Sequence, residues 1–112
     1  MIGLAIAVAW LGFVLHNVAD LPGQTLLSAE TLYPSLVYVV LIGVLRWSAW
    51  PLFGWAVLNG VGGGVLSVLP LPFLPFDPVQ SFHHYSFHII YTATQIPLAV
   101  LAFRRARSPQ AL

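Results

Sequence analysis

The chain has 112 residues, of which 59% are hydrophobic and only 6% are charged, and its formal net charge is +1. This composition leaves too little polar surface to cover a water-soluble protein, and no basic run is present that would neutralise a nucleic-acid backbone. The absence of cysteine excludes disulfides and thiolate metal sites, and the absence of lysine excludes Schiff-base chemistry. We therefore expect an all-α polytopic membrane protein whose partners include the lipid bilayer but not nucleic acid.

The first apolar segment, 2–20, is predicted to be a transmembrane helix. At about 1.5 Å per residue it is long enough to cross most of a hydrocarbon core. No basic residue follows Met1, and Leu21-Pro22-Gly23 lacks the small-x-small pattern of a signal-peptide cleavage site. We therefore expect this segment to remain in the protein as its first helix.

The second and third segments, 30–48 and 51–69, are predicted to be antiparallel helices joined by a tight turn. Gly60 and Gly64 lie on one face of the third helix and allow a neighbouring backbone to approach closely. We expect this face to pack against another helix, with Asn59 forming a hydrogen bond across the interface. A local break in the helix that lines a binding cavity is the alternative use of the glycines.

The fourth segment, 78–104, follows a proline-rich connection, 70–78, that cannot form a regular helix. The apolar side chains of this connection predict contact with the membrane interface or a partner, or a lid over the ends of the chain's own helices. Asp77 is expected to cap the fourth helix, with Gln80 completing a capping box.

If these segments are helices that cross a membrane, the basic and the acidic residues lie on opposite sides of it. Basic residues near helix ends mark the cytoplasmic side of a membrane. The arginines adjoin the ends of the second and fourth segments, and the carboxylates lie in the connections on the opposite side: Arg46, Arg104, Arg105 and Arg107 against Asp20, Glu30 and Asp77. We therefore expect one domain, 1–112, with four transmembrane helices, cytoplasmic amino and carboxy termini, and a location in a bacterial cytoplasmic membrane.

Polar residues form a stripe along the fourth segment. At about 100° per residue, four of them fall within an arc of about 60°; this polar stripe consists of His84, His88, Tyr91 and Gln95. Because a polar stripe is costly in lipid, we expect it to face the bundle interior, a cavity or another subunit. On the first segment, His16 and Asp20 share a face and Asn17 is adjacent, at a depth that matches the histidines of the stripe.

Three interpretations of these residues remain open. They form hydrogen bonds between helices, they bind a ligand, or they handle protons or a substrate in a small transporter. The ligand would be a transition metal, or haem or another tetrapyrrole. The predicted metal ligands are His16, Asp20, His84 and His88, with Asn17 in support. The carboxylates are dispersed and no serine lies in a nucleophile elbow, so we do not expect an enzyme.

In length and helix number the chain is similar to the small multidrug-resistance transporters. That family relies on a glutamate within its first helix, where this chain has His16, so we do not assign it to the family. Four short helices enclose little volume, and the glycine-rich face and the proline-rich connection favour partners. The leading functional expectation is therefore an accessory subunit that acts through helix packing in a homo- or hetero-oligomer.

Overall fold

The computed structural model describes residues 1–20, 23–67, 69–73 and 80–108, except for the side chain of Asp20. These residues form four helices and no strand, which confirms the prediction of an all-α fold. Two helical segments, Ile2–Ala19 and Phe82–Ala106, are long and apolar enough to cross a membrane.

The helices are bounded as follows, and two of them change from α- to π-helical geometry. Helix α1 spans Ile2–Leu15 and continues as a first π-segment over His16–Asp20. Helix α2 spans Ala29–Val44. Helix α3 spans Trp50–Val57 and continues as a second π-segment over Leu58–Leu66, and helix α4 spans Phe82–Ala106.

Helix α4 begins later than the sequence predicts. Its N-cap is Ser81, whose side chain accepts a hydrogen bond from the His84 amide at 3.1 Å. Gln80, expected within the first turn, precedes the helix. The predicted cap, Asp77, lies outside the described residues. A serine hydroxyl satisfies the free amides of a first turn as well as a carboxylate does, which explains how the start can lie at Ser81.

Helix α4 lies at the centre of the bundle, between α1 on one side and α3 with the second π-segment on the other. Small residues at these interfaces allow close approach of the helices, as is common in membrane bundles. The buried apolar core includes Ala5, Ala9, Phe13, Leu52, Ala56, Leu98 and Ala102. Helix α2 packs at the edge and buries only Thr31 and Tyr38.

Three of the four glycines of the second π-segment face α4 of the same chain: Gly60, Gly63 and Gly64. A Cβ atom added to Gly64 would overlap the Thr92 side chain and lie 3.1 Å from the Thr92 Cα atom. A Cβ atom added to Gly60 would lie 3.4 Å from the Gln95 Cβ atom. The glycine-rich face therefore packs against α4 of the same chain. The helix has π-helical rather than α-helical geometry at these glycines. Asn59 accepts a hydrogen bond from the Tyr91 hydroxyl of α4.

Candidate functional site: a buried histidine pair

His16 and His88, called here the histidine pair, meet where α1 contacts α4. Their Nε2 atoms are 2.8 Å apart, which is a hydrogen-bond distance. Their ring centroids are 4.3 Å apart and the ring planes are nearly perpendicular, at 85°. The side chains are 9% and 3% exposed, so the hydrogen bond is shielded from the surroundings of the protein. The matching depths of the two residues made this contact possible if the first and fourth helices touch, and in the structure they do.

One side-chain amide oxygen and one main-chain carbonyl oxygen lie within hydrogen-bond distance of the two Nδ1 atoms of the pair. His16 Nδ1 lies 2.9 Å from Asn17 Oδ1, and His88 Nδ1 lies 3.2 Å from the Gly64 carbonyl oxygen. The Asn17 amide in turn donates to the Glu30 carbonyl oxygen at 2.9 Å and to the Thr31 hydroxyl at 3.1 Å. The pair therefore links the first π-segment, α2, α4 and the second π-segment through one continuous set of hydrogen bonds.

Both π-segments lie at this site. His16 is the first residue of the first π-segment, and Gly64 belongs to the second. A π-helical turn contains one residue more than an α-helical turn and is stable only where the surrounding packing supports it, which is why such turns concentrate at functional sites. Two helices thus depart from α-helical geometry beside the same pair of side chains.

The other predicted residues lie around the pair or deeper in the bundle. The His84 ring is half-buried, with its centroid 4.4 Å from that of His88 and 6.4 Å from that of His16. The Tyr91 ring centroid is 5.0 Å from that of His16. One turn deeper, the Gln95 amide donates to the Ala9 carbonyl oxygen at 2.9 Å. The side chain of Asp20, the remaining predicted residue, lies outside what the structure describes.

Sequence reasoning missed the contribution of α2. Thr31 and Tyr38 are buried against the site, and the Tyr38 hydroxyl lies 3.4 Å from Gln95 Oε1. Ser35 accepts a hydrogen bond from Trp10 Nε1 at 2.9 Å. These three residues of α2 are spaced by four and three positions, which is the spacing of one helix face. This spacing of polar residues in the second segment was the sequence signal that could have identified the buried face of α2.

The polar stripe ends at Gln95. Every residue of 96–103 is apolar, and so is every residue of 2–9 on α1. The buried residues at this level, which include Leu52, Leu98 and Ala102, fill the core without polar groups. The described residues therefore contain no polar path that continues from the histidine pair to the end of the bundle that carries the arginines.

The histidine pair as placed does not fit a shared metal ion. Two nitrogens bound to one tetrahedral zinc lie about 3.3 Å apart, given zinc–nitrogen bonds of about 2.0–2.1 Å. The observed 2.8 Å between the Nε2 atoms leaves no room for an ion, and still less for the iron of a tetrapyrrole. Among the described side chains, no three potential ligands converge to hold a metal. The four-ligand site that includes Asp20 stays a prediction.

A groove runs along the outer surface beside His88. It has a volume of about 410 Å³ and lies between α4 and the second π-segment. Its walls are almost entirely apolar, and its lining includes Gly64, Val65, Tyr85, His88, Thr92 and Ile96. One side of His88 therefore borders an apolar groove on the protein surface.

Comparison with known protein families, curated proteins and solved structures gave no match to this chain.

Proposed function

We propose that the chain is a four-span membrane protein, with both termini in the cytoplasm, that works as a subunit of a homo- or hetero-oligomeric complex in a bacterial cytoplasmic membrane. The dimensions of the fold support the membrane assignment. The bundle measures 45 × 27 × 23 Å, and a bilayer with its headgroups is about 40–45 Å thick. Large apolar side chains are exposed on every helix, among them Leu4, Val40, Val61 and Ile96.

The attachment of α2 is the observation that carries the subunit proposal. Of its 16 residues, only Thr31 and Tyr38 are buried. Helices in lipid are held together by packing and hydrogen bonds, because lipid chains compete equally for apolar side chains. A helix with so little contact inside its own chain is the element that a partner subunit would complete. Its exposed face presents Leu32, Tyr33, Leu36, Val39, Val40 and Ile42.

The topology rests on the arginines. Arg46 follows the end of α2, and Arg104 and Arg105 lie in the last turn of α4. In an up-and-down arrangement of four spans these ends lie on one side, and basic residues retain that side in the cytoplasm. The histidine pair then lies in the outer half of the membrane.

Cysteine labelling tests this topology without background, because the chain has no cysteine. Thr25 and Ser108 are both exposed and lie in the connection after the first π-segment and just beyond α4. We expect Thr25→Cys to react with a membrane-impermeant maleimide in intact cells, and Ser108→Cys to react only after the cells are opened. Labelling of Ser108→Cys in intact cells would reverse the orientation, and equal labelling of both would contradict a fixed topology.

Purification in mild detergent tests the subunit proposal. The chain has a mass of 12.2 kDa, and we expect a protein mass well above this value once bound detergent is subtracted by light scattering. A strictly monomeric protein would overturn the proposal.

Two substitutions with matched exposure locate the interface. Val39 of α2 is 65% exposed and Leu4 of α1 is 63% exposed. We expect Val39→Trp to reduce the assembly toward monomer, because the larger ring would obstruct the partner, and Leu4→Trp to leave it intact. The same mass for both variants would contradict the role of α2.

A further inference from the structure

The groove beside His88 is the first part of a longer apolar groove that follows α4 toward the arginines. Two further cavities, of about 180 Å³ and about 330 Å³, lie between α4 and the span formed by α3 and the second π-segment. Neighbouring cavities share lining residues, so together they form one surface feature, called here the α4 groove. The shared residues are Val65, Thr92, Ile96 and Ala99.

The wall of the α4 groove is suited to a hydrocarbon chain. Its polar groups are bonded within the protein: the Thr92 hydroxyl donates to the Gly60 carbonyl oxygen at 3.1 Å, and the Gln95 amide donates to the Ala9 carbonyl oxygen at 2.9 Å. The side chains that the groove exposes are apolar, among them Val61, Ile96 and Val100. A hydrocarbon chain needs no hydrogen bonds, whereas a polar ligand would lose those it makes with water.

One end of the α4 groove carries a positive charge. Arg104 is exposed, lines the last cavity and follows Val100 by four positions, which places both residues on the same helix face. Phe103 lines the same cavity, and its ring centroid is 5.9 Å from that of Trp50 and 5.4 Å from that of Phe53. Aromatic side chains, tryptophan above all, concentrate at the level of the lipid headgroups. This cluster therefore places Arg104 at headgroup depth.

No acidic residue belongs to the elements that form the α4 groove. The sequence contains none in 31–76 or in 78–112, which include all of α3, the second π-segment and α4. Glu30 lies in the first turn of α2, at the other end of that helix from Arg46. The charge that complements Arg104 must therefore come from an anion in the surroundings, and phosphate is a preferred partner of a guanidinium group.

We propose that the α4 groove binds an anionic phospholipid, with its phosphate on Arg104 and one acyl chain in the groove. The proposal rests on the membrane placement proposed above. Half of a hydrocarbon core is about 15 Å, which α4 covers in about ten residues. Counted from Arg104, an acyl chain of that leaflet passes Val100 and Ala99 and reaches the middle cavity near Ile96. Basic sites between transmembrane helices are typical of proteins that bind anionic lipid headgroups.

Native mass spectrometry of the full chain tests this lipid site. The protein in detergent micelles is mixed with equal amounts of palmitoyl-oleoyl phosphatidylglycerol and palmitoyl-oleoyl phosphatidylcholine, which share their acyl chains and differ in headgroup charge. We expect one phosphatidylglycerol to be retained per chain, with a preference of about fivefold over phosphatidylcholine, which corresponds to about 1 kcal/mol for one basic residue. Equal retention of the two lipids would overturn the site. The membrane placement is tested separately, by the labelling of Thr25→Cys and Ser108→Cys.

Two arginine variants separate a site from general attraction to positive charge. Arg104→Gln should abolish the preference for phosphatidylglycerol. Arg46→Gln removes the same charge from an exposed position outside the groove, where the guanidinium lies 4.8 Å from the centre of the Trp47 ring, and it should leave the preference nearly unchanged. Equal losses in the two variants would overturn the proposal, because they would show that the lipid is attracted by the charge of this end alone.

Two alanine variants test the position of the acyl chain. Ala99 lines both the middle and the last cavity, so Ala99→Phe should obstruct the groove and reduce retention of phosphatidylglycerol. Ala7→Phe fills a different groove, between α1 and α2, and should leave retention unchanged. Unchanged retention in Ala99→Phe would contradict the proposed position. If Ala99→Phe does not fold, Arg104→Gln still decides, because Arg104 is exposed and its replacement removes no core packing.

Discussion

Replacing Gly64 by alanine is expected to lower the free energy of unfolding by about 1–3 kcal/mol. The added methyl group would overlap the Thr92 side chain and lie 3.1 Å from the Thr92 Cα atom, so a side-chain rotation alone cannot make room for it. The second π-segment must move away from α4, which also weakens the hydrogen bond between His88 and the Gly64 carbonyl oxygen. Reversible unfolding in mixed detergent micelles would measure the loss.

Two further variants separate this overlap from a general effect of alanine. Gly54 lies in α3 of the same span, and a Cβ atom there has no neighbour within 4 Å. We expect Gly54→Ala to be neutral or to stabilise the protein by up to about 1 kcal/mol, because alanine favours a helix over glycine. Adding Thr92→Ala to Gly64→Ala should recover part of the lost stability. Equal stability of Gly64→Ala and Gly54→Ala would contradict the packing described above.

The sequence made a contact between His16 and His88 possible but did not establish it, because the contact required the first and fourth helices to be neighbours. Polar side chains within a span must find partners inside the protein, since lipid offers none. In the proposed topology the two residues lie at matching depths, and it is the packing of α1 and the first π-segment against α4 that brings them together. The same argument predicted that Tyr91 and Gln95 turn inward, and both are buried, at 4% and 1% exposure.

The π-segments could not be predicted from the residues. A π-helical turn has less favourable backbone hydrogen bonds than an α-helical turn, so it forms only where tertiary contacts stabilise it. Those contacts join Gly64 to His88 across two helices, so they are invisible to any local pattern. The sequence indicated either close packing at Gly60 and Gly64 or a break in the helix that lines a binding cavity; in the structure both glycines pack against α4, and the helix continues through them in π-helical geometry. The start of α4 differs for a more local reason, because Ser81 and Asp77 are both good caps.

Replacing His88 by alanine is expected to cost about 2–4 kcal/mol of unfolding free energy. The change removes a side chain that is only 3% exposed and leaves a cavity between α1 and α4. It also leaves His16 Nε2 without the ring nitrogen that it faces at 2.8 Å. His83 on the same helix is exposed, so His83→Ala should change stability by less than about 0.5 kcal/mol. A comparable loss for the two variants would show that the helix, rather than the pair, is sensitive.

A double-mutant cycle between His16→Ala and His88→Ala isolates the contribution of their contact. Each single variant loses packing as well as the shared hydrogen bond, but the packing losses cancel in the cycle to the extent that they are independent. Because the two rings touch and their Nε2 atoms lie at hydrogen-bond distance, we expect a coupling free energy of about 1–3 kcal/mol. A coupling near zero would mean that α1 and α4 are held together by their other contacts, which include the buried Ala9 and Leu98 side chains and the hydrogen bond from Gln95 to the Ala9 carbonyl oxygen.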